Sequence, residues 1–253
     1  RKDFQGKGYL EFRDVTFSYQ GAEQPVIKNI SFSAKPGEIT AIIGSTGSGK
    51  STLVNLIPRF YEADSGIITI DGVDIREMSQ EALRNKIGYA PQKAVLFSGT
   101  IADNIRVGKP DATDNEIRQA AEVAQAMEFI SGMDGGFDHM ISQGGTNISG
   151  GQKQRLSIAR ALVRKPEIYI FDDTFSALDF KTDAKLRNAL KKEIAEATVI
   201  LVAQRVGTVM DAHRIIVLDE GRIAGIGKHK ELLETCRVYR EIVSSQLSEE
   251  EIA

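Results

Sequence analysis

The residues with the plainest chemistry lie in Gly44-Ser45-Thr46-Gly47-Ser48-Gly49-Lys50-Ser51, followed by Thr52. The spacing is G-x-x-x-x-G-K-[ST] in full, after the apolar run Ile39–Ile43 and before a helical pattern. Glycines let backbone N–H groups converge on phosphate oxygens without Cβ clashes. A helix N-terminus adds partial positive charge. Lys50 is placed to meet the β- and γ-phosphates of a nucleotide, and the Ser51 hydroxyl is a candidate Mg2+ ligand. A dinucleotide fingerprint, G-x-G-x-x-G, is absent from this segment. Farther on, Tyr169-Ile170-Phe171-Asp172-Asp173 is an apolar strand ending in two carboxylates. At such a strand tip Asp172 suits Mg2+, directly or through water, and Asp173 can stand near an attacking water.

These groups need a scaffold. Leu10–Tyr19 alternates apolar and polar residues with an irregularity near Asp14, as in a half-buried strand. Val26–Ser33 reads as a second strand, Ile39–Ile43 as a buried one, and Lys50–Phe60 as the helix after the phosphate loop. Asp71-Gly72, between Ile67–Ile70 and Val73-Asp74, is a hairpin turn signal. Residues Val95–Asn147 read as mostly helical, with Asp114–Phe129 at helical spacing. Then come a helix from Gln152 to Arg164, a strand Ile168–Phe171, a helix Thr182–Ile194 and a strand Thr198–Ala203. Such alternation predicts a parallel sheet. The tail Lys228–Ser245 reads as helical, and the acidic Glu249–Glu251 as a frayed end.

Composition sets outer bounds. The 253 residues carry 32 Lys+Arg and 35 Asp+Glu, so the net charge is 32 − 35 = −3. That balance argues against a nucleic-acid binder held by bulk charge. The lone cysteine, Cys236, forms no internal disulfide, which fits a reducing, intracellular compartment. No stretch approaches the roughly 18–20 apolar residues of a membrane span. The start at Arg1 rather than Met suggests a piece of something longer.

Ile148-Ser149-Gly150-Gly151-Gln152 resembles the L-S-G-G-Q signature of ATP-binding cassette (ABC) proteins, with Ile148 in place of Leu. Ser149 reads as an N-cap, with glycines exposing backbone donors at a helix start. The resemblance runs from about Leu10 to Ser245. It implies an α/β fold with a P-loop (RecA-like) core on a mostly parallel sheet. An antiparallel β subdomain lies on the N-terminal side, and an α-helical subdomain is inserted. The expected layout is a linker end over 1–8 and a nucleotide-binding domain over 9–253. Within it, 93–153 is the helical subdomain and 229–253 a helical tail.

The resemblance also implies roles. Tyr19 is similar to the aromatic that stacks on adenine, and Gln92 to the glutamine that senses Mg2+ and the attacking water. Leu96–Ile101 with Asn104-Ile105 looks like the exporter type, and Gln143-Gly144-Gly145 stands where exporters touch a partner's coupling helices. Ser176-Ala177-Leu178-Asp179 resembles the loop that crosses a dimer interface. In this family two domains pair head to tail, with ATP and Mg2+ between the phosphate loop of one and the signature of the other. Transmembrane domains, fused upstream of Arg1, would place this domain on the cytoplasmic face of the cell membrane.

Two positions depart from the pattern. The family's base is a Glu after the strand-end Asp; here it is Asp173, whose carboxylate falls short by roughly 1–1.5 Å. A general base must lie within about 3 Å of its water, and a misplacement of about 1 Å can cost about 10²-fold. The family's switch His is Gln204, which hydrogen-bonds but carries no proton at neutral pH. With the binding motifs intact, this resembles the degenerate-site half of a heterodimeric exporter whose partner keeps Glu and His. The alternatives are a free ABC ATPase of DNA repair or translation and a nucleotide-sensing module. The first would need a coiled-coil insertion or a second cassette.

Other signals read as structural. The basic helix Gln152–Arg164 lacks interleaved aromatics and reads as lobe-facing or solvated. His139, His213, His229 and Cys236 show no metal-ligand spacing, and Met127, Met133 and Met140 read as packing of the helical lobe.

Overall fold

The computed structural model describes residues 7–252, with side chains through Leu247. Expectations for residues 1–6 lie outside that range, whereas the end expected to fray at Glu249–Glu251 continues as helix to Ile252. The first part holds β1 (Leu10–Phe17), β2 (Ile27–Ala34), β3 (Ile39–Gly44), α1 (Lys50–Asn55), β4 (Ser65–Ile70), β5 (Val73–Asp74), α2 (Gln80–Asn85) and β6 (Ile87–Ala90). The middle holds β7 (Gly99–Thr100), α3 (Ile101–Arg106), α4 (Asp114–Val123), α5 (Met127–Ile130) and β8 (Met140–Ile141). The rest holds α6 (Gly150–Val163), β9 (Ile168–Asp172), α7 (Phe180–Glu193), β10 (Thr198–Val202), α8 (Val206–Val209), β11 (Arg214–Asp219), β12 (Arg222–Gly227), α9 (His229–Thr235) and α10 (Arg237–Ile252).

The strands form a mixed α/β architecture. One sheet runs β2-β1-β4-β5, with antiparallel pairings throughout. The other runs β12-β11-β3-β10-β9-β6, parallel except for the edge strand β12. Its central strands β3, β9 and β10 are buried along their whole length, as continuous apolar runs require when both faces are covered. Side-chain alternation divides the core. Ile39, Ala41 and Ile43 face the cluster built with α4, α6 and α7. Ile42, Ile170, Ile200 and Ile216 face the antiparallel sheet and α1.

The irregularity in β1 is real. Asp14 has φ 49°, and pairing with β2 skips between Phe12 and Val15. This bulge re-phases the strand so that Leu10 and Phe12 before it, and Val15 and Phe17 after it, all point inward. At the β4–β5 hairpin Asp71 and Gly72 have φ 52° and 82°, the paired left-handed residues of a type I′ turn.

Three further expectations need correction. The helix expected over Lys50–Phe60 stops at Asn55. Its last turn tightens, with the Leu56 and Ile57 amides donating to Leu53 and Val54. Pro58 then brings no N–H to continue it. The helix expected over Asp114–Phe129 is two helices. Gln125 sits at φ 61°, while the Gln125 and Ala126 amides return to Glu122 and Ala121. That is a Schellman stop with glutamine in the left-handed position. Met140 is 58% exposed, whereas Met127 and Met133 do pack on the core.

Candidate functional site

The phosphate loop leaves the carboxyl end of β3 and enters α1 through Gly49, whose φ is 101°. A Cβ there would lie 2.9 Å from Ile27 Cδ1 and 3.2 Å from the Val26 carbonyl, and one on Gly44 would lie 2.5 Å from Ser48 Oγ. Both glycines are therefore demanded by close approach, and Gly49 by conformation as well. Gly47 also has positive φ, 81°. Lys50 is 8% exposed. Its Nζ donates to the carbonyls of Gly44 at 2.5 Å and Ser45 at 3.1 Å. Burial pulls its pKa down, while the charges of Asp173 and Asp172 push it back up.

Asp172 ends β9 beside the loop. Ser51 Oγ donates to its Oδ1 at 3.1 Å. Burial raises the pKa of Asp172, and the neighbouring Asp173 adds to the rise, while the Ser51 hydrogen bond and Lys50 offset it. Asp173 is also raised by burial, against Lys50, Arg205 and Gln92. Its backbone sits at φ 54°, a region where aspartate is several-fold enriched among non-glycine residues. Gln92 Nε2 reaches Asp173 Oδ2 at 3.4 Å, and the Gln92 carbonyl accepts from Gln154 Nε2 on α6 at 2.8 Å. So Gln92 joins Asp173 to the helix that the signature opens.

Tyr19 stands just past β1. Its hydroxyl meets Thr52 Oγ1 at 2.6 Å. Its ring is edge-on to Phe17 and Tyr61, with centroids 5.0 and 5.3 Å away. It remains 39% exposed, which leaves aromatic surface open beside the loop.

The donor set suits a nucleotide with a divalent cation. Lys50 and the amides at the start of α1 match phosphate. Ser51 and Asp172 supply hard oxygen ligands of the kind Mg2+ takes. Ser48 Oγ, buried within the loop, has no partner. A separate cleft of about 960 Å3 lies between α4 and the end of α7, lined by Glu116, Gln119, Tyr169 and Glu193 and by none of residues 44–52.

Other expected site residues serve as helix caps. Ser149 caps α6 in a full capping box: its Oγ accepts from the Gln152 amide at 3.1 Å, and Gln152 Oε1 accepts from the Ser149 amide at 3.0 Å. The space beside Gly150 is open, and a Cβ on Gly151 would lie 3.1 Å from the Ala177 carbonyl. Asp179 caps α7, accepting from the Thr182 amide at 2.7 Å, and that hydrogen bonding holds its carboxyl low. No hydrogen bond or ion pair among the described residues joins Ser149–Gln152 or Asp179 to residues 44–52. Gln204 follows β10 with an exposed side chain. Its carbonyl accepts from Gln246 Nε2 on α10 at 2.6 Å.

Two contributors were missed by the sequence reading. Tyr89 on β6 donates to Asn55 Oδ1 at 2.7 Å, closing the end of α1. Arg205 donates to the carbonyls of Phe175 and Leu178 and to Asp183 Oδ2 at 2.5, 2.9 and 2.7 Å. It ties the segment after Asp173 to the switch loop. Its place next to Gln204 was the only available hint. The basic residues of α6 face the lobe: Arg155 and Arg160 donate to carbonyls of Gln125, Asn104 and Val95. His213 Nδ1 accepts from the Ile39 amide, His229 pairs with the Tyr239 hydroxyl, and Cys236 is buried.

The fold and the loop at the end of β3 define a P-loop domain of the mixed α/β class. The family model described as ABC transporter matches residues 27–176, and the chain belongs to that family as an ATP-binding domain. It is 48% identical over 242 residues to an uncharacterized ABC transporter ATP-binding protein of Mycobacterium tuberculosis, covering 94% of this chain and 41% of that protein. It is 45% identical over 246 residues to the beta-(1→2)glucan export ATP-binding/permease protein NdvA of Rhodopseudomonas palustris, covering 97% of this chain and 41% of that one. The structure of a bacterial Atm1-family ABC exporter with ATP bound superposes with a TM-score of 0.92 at 37% identity, over 95% of this chain and 42% of that one. The chain thus spans about two fifths of the length of these relatives. Among the described residues no helix is long and apolar enough to cross a membrane.

Proposed function

We propose that this chain is the ATP-driven motor domain of an exporter. Its own phosphate loop builds a site that holds ATP well and hydrolyses it poorly. Its signature, Ser149–Gln152, completes the competent site of a non-identical partner that keeps Glu and His. In this reading the domain spans 9–253, with 93–153 as the lobe that carries the signature and 229–253 as a tail. It works at the cytoplasmic face of the membrane, joined to transmembrane domains.

The observation that carries the reading is the convergence of Lys50, Ser51, Asp172, Asp173 and Gln92 at the carboxyl ends of β3 and β9. In open α/β sheets ligands bind there. Lys50, now on loop carbonyls, turns its ammonium to β- and γ-phosphate oxygens. Ser51 and Asp172 would hold Mg2+, which when bound would neutralise charge on the phosphates. Tyr19 stacks on the base. Asp173, shorter than Glu and held by Gln92, takes a proton from water poorly. Gln204 offers a hydrogen bond to the γ-phosphate but no proton. Asp179 lies toward the partner.

The NdvA name includes export and permease, which favours a membrane exporter over a free ATPase. The decisive measurement is ATP turnover of the assembled protein, before and after Asp173→Glu/Gln204→His. Measured with the partner's own base removed, so that only this site turns over, the rate rises by about 10-fold or more if the two departures limit it. Unchanged turnover in a variant that still binds ATP sinks the degenerate-site reading.

A further inference from the structure

The switch loop after β10 is held from two sides. Arg205 anchors it to the Phe175 and Leu178 carbonyls and to Asp183. On the other side one carboxamide reaches in from the C-terminal helix, 40 and 42 positions from its two partners. Gln246 Oε1 accepts from the Val206 amide at 2.8 Å, and Gln246 Nε2 donates to the Gln204 carbonyl at 2.6 Å. The Val206 amide opens α8, whose N-cap, Arg205, supplies no side-chain acceptor. An amide at a helix start lacks an intrahelical partner, and Gln246 supplies it from another element. A planar carboxamide both accepts and donates; carboxylates and ammonium groups do not. The pair of bonds therefore fixes the backbone on both sides of Arg205, and with it the point from which the Gln204 side chain leaves.

We propose that Gln246 of α10 is a positioning residue for the nucleotide site: it sets Gln204 toward the γ-phosphate, so the C-terminal helix reports to the site through one clasp. The inference rests on the reading of Gln204 as the γ-phosphate contact. ADP lacks that phosphate and is held by the loop and Tyr19, which α10 does not touch. The clasp therefore weighs on the ratio of ATP to ADP affinity.

The test measures ATP and ADP affinity with Mg2+ on the whole chain, for wild type, Gln246→Ala, Gln246→Glu and Gln204→Ala, with hydrogen exchange at the Val206 amide. A hydrogen bond to the phosphate is worth roughly a 3- to 10-fold change in affinity. Gln246→Ala is expected to lower the ATP:ADP ratio by about that factor and to speed Val206 exchange. Alanine suits a helix, so the fold is kept. Gln246→Glu still accepts from Val206 and keeps its protection, but it faces the Gln204 carbonyl with an oxygen and lowers the ratio as Ala does. A purely structural cap would be restored by Glu in both measurements, and that result overturns the proposal. An unchanged ratio in Gln246→Ala overturns it as well. If Gln204→Ala alone leaves the ratio unchanged while Gln246→Ala lowers it, the clasp stands and the assignment of Gln204 fails.

Discussion

Asp172 and Asp173 are two buried carboxylates side by side, and burial raises the pKa of each. In the folded chain they therefore hold protons more tightly than in the unfolded one. Their contribution to stability is fully present below the ordinary aspartate pKa and is lost as pH rises through the raised value. At neutral pH the ionised pair works against folding. Asp172→Asn keeps the shape and relieves this, so its melting temperature is expected to rise by about 2–4 °C at pH 7. Its binding of Mg2+-ATP is expected to collapse, since Ser51 loses its anionic companion. Thermal melts between pH 7 and pH 4 check the sign: the gap between variant and wild type should narrow toward acid. A gap that widens contradicts it. Lys50, Ser51 and both aspartates were legible in the sequence because their spacing is set by one loop and one strand tip. Tyr89 and Arg205 were not, since each meets its partners only after distant strands align.

Among the elements, α6 concentrates most of the signature's chemistry in its first turn. Ser149→Ala removes half of a capping box, a loss of about 1 kcal/mol, read as a melting temperature lower by about 2–4 °C. Ser149→Asp caps equally well, so its stability should match wild type. Its negative charge would face the partner's ATP, and turnover of the assembly should fall by about 10²-fold. Turnover retained in Ser149→Asp would contradict a role for this helix start in a partner's site. Gly49→Ala places a Cβ at φ 101° and 2.9 Å from Ile27. It is expected to abolish nucleotide binding, checked by fluorescent-nucleotide titration, because α1 can no longer start where the loop needs it. Element ends were the least legible part of the sequence. Gln125 at φ 61° ends α4 without glycine or proline, and the helix pattern ran on through it.

For the whole molecule, no hydrogen bond or ion pair among the described residues joins the signature or Asp179 to the phosphate loop of the same chain. In the proposed reading, a site that needs both draws on two chains. Sedimentation of this chain mixed with the proposed partner, under Mg2+ and a slowly hydrolysed ATP analogue, is expected to give a nucleotide-dependent complex that Lys50→Ala abolishes. Equal association without nucleotide would count against ATP-driven pairing. The two-fifths span shared with longer relatives gives the first reading of a missing membrane span its setting: the domain matched here is a part of those chains. By itself the sequence determined the local chemistry: the phosphate loop, the acidic strand tip, the capped signature and the two departures at Asp173 and Gln204. Each of these is written in contiguous residues whose backbone needs are met within a turn or two. Only the tertiary structure decided which of them share a site and what holds them there. Pairings such as Ser51 with Asp172, Gln92 with Asp173 and Gln246 with the switch loop join residues 40 to 121 positions apart. They arise from strand order in the central sheet and from the path of the last helix, which no local pattern encodes.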